Sequence, residues 1–215
     1  MSVSVILTVV IAASAVLTIV AREREIRRLL LLFKPTTTLL IIALALRSAP
    51  EVWTPYAYWV LAGLLFGLFG DVFLMFPDWT FKHGLVGFLI GHAFYVFAFT
   101  SGVGFGMPVL ILVLIAVYGA VVLSFLLPHL KSMTVPVLIY ILVICFMALQ
   151  AWARWQRLGG GRTLAAALGA SFFLVSDGTL ALNRFRKPFP RAHTMSLSTY
   201  YLAQWMIALS VGQAY

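Results

Sequence analysis

Long apolar runs separated by short polar turns dominate this chain, and their spacing sets the expected element count. A helix needs roughly 20 apolar residues to cross a bilayer. Eight such segments are expected, at roughly 2–20, 30–47, 55–76, 83–100, 107–127, 133–152, 162–182 and 196–213. The connections between them leave no room for a separate soluble domain. The expected fold is therefore all-α: a polytopic membrane protein of eight transmembrane helices, forming one domain over residues 1–215. Pro35, Pro55, Pro108 and Pro136 fall near expected helix starts, where a missing N–H costs little. Gly159-Gly160-Gly161 separates the sixth segment from the seventh. Ala13-Ser14-Ala15 looks like a signal-peptide cleavage site, but no basic residue precedes it, so a retained first helix is expected.

The polar residues within these runs carry the functional signal. Glu23, Glu25, Glu51 and Asp78 fall in expected loops or at helix ends, whereas Asp71 and Asp177 interrupt apolar segments. A carboxylate within a bilayer costs about 3 kcal/mol or more, so it faces a bundle interior or a wet cavity and reads first as functional. The two acids share a frame, Gly70-Asp71-Val72-Phe73-Leu74 and Ser176-Asp177-Gly178-Thr179-Leu180. They stand four expected helices apart, and Tyr95 and Tyr201 repeat the same offset. A parallel 4+4 internal repeat would produce this pattern.

Helix parity brings further residues to the same end of the bundle, whichever way the chain is oriented. Asp71 and Asp177 lie toward the C-terminal ends of odd helices, while Lys34, Tyr200, Tyr201 and Gln204 lie toward the starts of even ones. Tyr200 and Gln204, four residues apart, share a helix face. His92 enters from the same end but deeper, and Asn183 and Arg184 extend the group toward the surface. On an ideal helix Asn183 points roughly 120° away from Asp177. The expectation is a cavity floored by Asp71 and Asp177 and rimmed by Lys34, Tyr200 and Gln204. Competing structural readings are an interfacial aromatic belt for Tyr200, Tyr201 and Trp205, a positive flank for Lys34, and a helix-to-helix clamp for the aspartates.

Composition supports the membrane class. The chain is 63% hydrophobic and 10% charged, with mean hydropathy +1.04. A soluble domain carries about 25% charged residues. The net charge of +9 comes from basic residues clustered between spans, which fit topology signals and contacts with anionic lipid better than nucleic acid. Only Arg47, Arg154, Arg157 and Arg162 of the 15 Lys and Arg residues fall in loops after even-numbered helices. The other loops are thus expected on the cytoplasmic side. Short loops point to a bacterial inner membrane rather than endoplasmic reticulum. Cys145 stands alone, so no disulfide framework exists. His83, His92, His129 and His193 are scattered without ligand spacing, and neither metal nor other cofactor is expected.

The chain resembles the YhhN-like family of membrane proteins, whose characterised animal members are lysoplasmalogenases. The likeness rests on Lys34-Pro35, on Gly63 to Asp71, on Gly87 to Tyr95 with Gly91-His92, and on Val135 to Tyr140. It continues through Ser176 to Ala181, Phe185, and Thr199-Tyr200-Tyr201 with Gln204. These motifs run in order through the second to eighth segments. The resemblance implies a lysophospholipid substrate, the lysoplasmalogen, cleaved at its alkenyl ether to a fatty aldehyde and a glycerophospho-amine. Protonating a vinyl ether at carbon gives an oxocarbenium ion that water captures, chemistry two carboxylates in different environments can perform. Asp71 and Asp177 are the expected acid–base pair, with Asp177 favoured as base because Ser176 and Thr179 supply hydroxyls. Lys34, and secondarily Arg184, is expected to hold phosphate, and Tyr200 and Gln204 to orient glycerol or water. His92, Tyr95 and Asn183 complete the expected substrate-binding set. A small lipid or solute transporter, or a non-catalytic lipid-binding protein, would use the same acids without bond cleavage.

Overall fold

A computed structural model describes residues 3–76 and 80–212, so Asp78, assigned above to a loop, lies outside the described residues. The described chain is all helical. Its α-helices are α1 (Val3–Glu23), α2 (Arg27–Ser48), α3 (Pro55–Phe73), α4 (Phe81–Thr100), α5 (Val109–Leu130), α6 (Thr134–Leu158), α7 (Gly161–Ala181) and α8 (Ala192–Ser210). A 3-10 turn, Lys131–Met133, joins α5 to α6, and a π-helical turn, Leu182–Arg186, extends α7. Six helical stretches are long and apolar enough to cross a membrane, one of them running through α5 and α6 together. That makes the chain an integral, multi-pass membrane protein. Val109, Leu110, Val113, Leu114 and Val117 on α5 are exposed, an apolar surface suited to lipid. The stretch containing α8 is not among the six.

Local sequence explains most boundaries. Thr54 caps α3 by accepting from the Ala57 N–H at 3.3 Å, and Pro55 occupies the first turn. Gly159 and Gly160 adopt φ of 65° and 82° between α6 and α7, a conformation that favours glycine. Pro35 departs from expectation: α2 begins at Arg27, so the proline lies inside the helix rather than at its start. The apolar run from Leu29 to Phe33 propagates helix upstream of it. Beside it, Thr36 and Thr37 donate their hydroxyls to Leu32 O at 2.6 Å and Phe33 O at 2.7 Å, carbonyls next to Leu31 O, whose helical donor the proline removes.

Two seams lock the bundle. Between α1 and α2, Ser14 and Thr37 hydroxyls meet at 2.7 Å, and Thr18 lies 3.3 Å from Thr37. Between α3 and α4, small residues let the backbones approach. A Cβ on Gly91 would sit 3.1 Å from Gly63 O, and one on Gly87 would sit 3.1 Å from Gly70 N. Such small-residue faces replace the missing hydrophobic drive between helices in lipid with close packing.

Arg154 and Arg157, counted above as exterior topology charges, serve the fold directly. Arg154 is fully buried, stacks over Tyr56 at 4.4 Å and donates to Ser101 O at 2.7 Å. Arg157 donates to Gly104 O and Phe105 O at 3.1 and 2.6 Å, while the Gln150 amide pairs with both Gly106 backbone groups. Together α6 side chains pin the connection between α4 and α5.

The α3–α4 seam yields a stability prediction. A Cβ at Gly63 would lie 2.4 Å from the buried Tyr95 ring. Gly63→Ala is expected to destabilise the protein by about 1–3 kcal/mol, the usual cost of overpacking. Denaturant unfolding in micelles measures this, and wild-type stability would contradict the rigid seam.

Candidate active site

Asp71 sits in the last turns of α3 and is almost fully buried. Its carboxylate is surrounded by donors from two other helices. Lys34 Nζ on α2 lies 3.3 Å from Oδ1 and also donates to the Asp71 carbonyl at 3.2 Å. Thr38, one helical turn beyond Lys34 and so on the same face, donates to Oδ2 at 2.6 Å. Tyr200 on α8 donates to Oδ2 at 2.7 Å. Behind Tyr200 the bonds continue in one sense: Tyr95 donates to Gln204 Oε1 at 2.6 Å, and Gln204 Nε2 donates to Tyr200 at 3.2 Å. Each donor polarises the next, and the chain ends on the carboxylate. Gly67 makes room for it, since a Cβ there would sit 2.6 Å from Gln204 Nε2.

Asp177 has a different environment. Its side chain is 13% exposed against 1% for Asp71. Tyr140 on α6 donates a short hydrogen bond to its Oδ2. His92 Nε2 on α4 lies 3.8 Å from the same oxygen, and neither ring nitrogen has a hydrogen-bond partner among the described residues. Tyr140 and Phe173 meet the imidazole edge-on, with centroids at 5.4 and 4.7 Å. Of the hydroxyls expected to support Asp177, Thr179 donates to Val175 O at 2.7 Å, while Ser176 donates to Ser196 O at 3.0 Å and also interacts with the Asp177 carboxyl. No lysine or arginine pairs with Asp177 among the described residues.

Both carboxylates line one cavity of about 620 Å³, at the end of the bundle where α1, α3 and α7 finish and α2, α4 and α8 begin. Lys34 and Tyr200 line it too, but the Lys34 ammonium, expected to hold phosphate, is committed to Asp71. Gln204, expected at the rim, is completely buried behind Tyr200, and Tyr95 lies behind Gln204. Asn183, expected to face away, lines the cavity and accepts from Phe189 N at 3.2 Å. It belongs to the π-helical turn, whose wider winding voids the ideal-helix angle. Arg184 in the same turn lines the cavity and lies over the Phe81 ring at 4.9 Å.

A second, apolar pocket shares part of its lining with this cavity. Tyr118, Val122, Ile141, Ile144 and Leu174 form its walls, and Asp177, Leu74, Phe81, Phe88 and Leu180 belong to both spaces. Asp177 therefore stands at the junction of a polar chamber and a hydrocarbon-lined one. Sequence reasoning left out Tyr140, Thr38, Arg22 and His193 as site residues. Thr38 was visible as the i+4 neighbour of Lys34, whereas Tyr140 sits in an apolar run and reads as core.

The model of the YhhN family matches residues 29–211. Human lysoplasmalogenase TMEM86A is 38% identical over 164 residues, covering 73% of this chain and 66% of that protein. Human lysoplasmalogenase TMEM86B is 38% identical over 144 residues, covering 66% of this chain and 58% of that protein. The chain thus spans slightly less than two thirds of these relatives' length. An uncharacterized membrane protein, YhhN of Escherichia coli O157:H7, is 26% identical over 175 residues, covering 80% and 82%. No solved structure matches the chain.

The Lys34–Asp71 geometry predicts a specific pattern of stability. Removing one partner of a buried ion pair strands the other charge and costs about 3–5 kcal/mol. Lys34→Met should lose that much, and adding Asp71→Asn should recover most of it. Unfolding of both variants in micelles tests the pairing, and additive losses would refute it.

Proposed function

We propose a function for this chain, which belongs to the YhhN family: hydrolysis of the alkenyl ether of lysoplasmalogens within the membrane, by unequal work of two aspartates. The observation that carries the reading is the contrast between the acids. Asp71 faces an ammonium and two hydroxyl donors, an environment made for a standing negative charge. Asp177 has a short bond from Tyr140, no lysine or arginine partner among the described residues, and a place at the boundary of the apolar pocket. Asp177 is the general acid and Asp71 the fixed anion, the reverse of the assignment suggested by Ser176 and Thr179.

The reactive end of the substrate's hydrocarbon chain lies against the apolar pocket, which at about 50 Å³ takes only part of the chain, and its glycerophosphate end occupies the polar cavity, which places the vinyl ether beside Asp177. Asp177 transfers its proton to the alkenyl carbon remote from oxygen, and the neighbouring carbon becomes an oxocarbenium ion. Asp71 stabilises that cation through space in a water-poor setting where fixed charge acts strongly. Water attacks the cation and yields its proton to the newly ionised Asp177, restoring the acid. The resulting hemiacetal collapses to aldehyde and alcohol. Atoms balance with one water consumed and no external acid. Tyr140 and His92 hold and polarise the Asp177 carboxyl, and Gln204 and Tyr95 act on Asp71 through Tyr200.

All eight helices cross the membrane in this reading, α8 included. Its low hydropathy has a physical reason: Ser196, Tyr200, Gln204 and Ser210 are buried in the bundle rather than presented to lipid. The acid-bearing helices are counterparts in a parallel 4+4 duplication, a view supported by the intimate packing of both α3 on α4 and α7 on α8. The short loops favour a bacterial inner membrane.

Asp71→Asn and Asp177→Asn should each lower aldehyde release from lysoplasmalogen at least 100-fold, within the usual range for loss of acid–base catalysis. Reaction in D2O should place one deuterium on the aldehyde's α-carbon, because the transferred proton ends there. Wild-type rates in either variant, or unlabelled aldehyde, would refute the mechanism. Substrate movement without aldehyde would instead identify a transporter.

A further inference from the structure

Basic side chains other than Lys34 also line the cavity. With Lys34 committed to Asp71, Arg22 from α1, His193 from α8 and Arg184 from the π-helical turn still line its walls. They approach from three separate elements. Arg22 Nη2 lies 3.4 Å from His193 Nε2, and no carboxylate of the described residues lies within ion-pair distance of Arg22. Arg22 therefore spends one N–H on the imidazole, and its remaining guanidinium donors, at the wall of a polar cavity, suit an anion.

The corner is held in place by a separate contact. Glu23, next to Arg22 in the chain, accepts from both the N–H and the hydroxyl of Thr194, at 3.0 and 2.7 Å. This carboxylate caps the start of α8 and ties it to the end of α1. Arg22 and His193, each adjacent to one partner of that tie, are thereby set against one another. The guanidinium supplies a planar set of donors that suits two oxygens of a phosphate group.

We propose that Arg22 and His193 form a phosphodiester subsite at the mouth of the cavity. This rests on the lysophospholipid reading above and sharpens it: the phosphate is held by the first and last helices, while Lys34 serves Asp71. Arg22 lies outside the residues 29–211 matched by the family model. The chemistry selects a phosphate-bearing substrate over a neutral alkenylglycerol with the same chain.

Binding of soluble glycerophosphocholine to the purified full-length protein in neutral detergent tests the subsite apart from catalysis. Wild type should bind it, Arg22→Gln should weaken binding at least tenfold, and Arg22→Lys should retain part of the affinity. Arg24→Gln, an exposed charge in the same turn that does not line the cavity, should change binding less than twofold. Inorganic phosphate should compete. No binding by wild type, unchanged binding in Arg22→Gln, or equal weakening by Arg24→Gln would overturn the subsite, the last by showing only a diffuse surface potential. Co-purified anionic lipid lost from Arg22→Gln with glycerophosphocholine binding unchanged would overturn it too, by assigning Arg22 to the bilayer surface. Aldehyde release by wild type decides the hydrolase reading independently. An active enzyme insensitive to Arg22→Gln retains that reading and loses this one.

Discussion

A carboxylate and an ammonium buried 3.3 Å apart organise this protein, because neither could remain charged there alone. Their mutual attraction only offsets the loss of water when other polar groups complete the carboxylate's hydrogen bonding. Thr38 and Tyr200 do so from α2 and α8, so one acid on α3 fixes the mutual placement of three helices. The requirement then spreads inward. Tyr200 needs Gln204, Gln204 needs Tyr95, and both need the absence of side chains at Gly67 and Gly63. The glycine seam between α3 and α4 is thus as much a condition of the charged site as of helix packing.

That constraint creates the inequality between the acids. A second ion-paired carboxylate in the same cavity would offer two fixed anions and no proton donor. Asp177 instead meets a tyrosine hydroxyl and a solvent-shielded imidazole, and of the two acids it alone borders both the polar chamber and the apolar pocket. Two identical residue types acquire two roles through their partners, the same principle by which paired carboxylates divide their labour in glycosidases.

How much of this was readable from sequence depends on the kind of interaction. The aspartates stood out because a charge in an apolar run is costly wherever its partners are, and helix parity alone placed Lys34 and Tyr200 at the same end. Partner identity was less accessible. Tyr140 donates to Asp177 from the preceding helix, 37 residues away, and its apolar neighbours do not mark it as a partner. Gln204 looked like a rim residue because its helix phase matches Tyr200, but phase alone does not fix whether a shared face meets cavity or core. Asn183 was misdirected by an assumption of regular winding that the π-helical turn breaks. Pro35 looked like a helix start because the apolar segment was counted from its hydropathy, whereas Arg27 and Arg28 also have good helix propensity and extend α2 upstream.

The basic residues teach the same distinction between charge and place. Counted by loop, Arg154 and Arg157 weigh against one orientation as Arg22 and Arg184 weigh for it. In three dimensions the first two answer backbone carbonyls of the α4–α5 connection. Arg22 and Arg184 instead turn toward the cavity. A guanidinium satisfied by carbonyls closes a loop, whereas one that meets an imidazole at the cavity wall keeps donors for an anionic guest. The placement follows from the lipid chemistry: if the apolar pocket takes the reactive end of the chain and Asp177 the vinyl ether, the phosphate must lie on the side of Asp177 away from the hydrocarbon. That is the side where α1 ends and α8 begins.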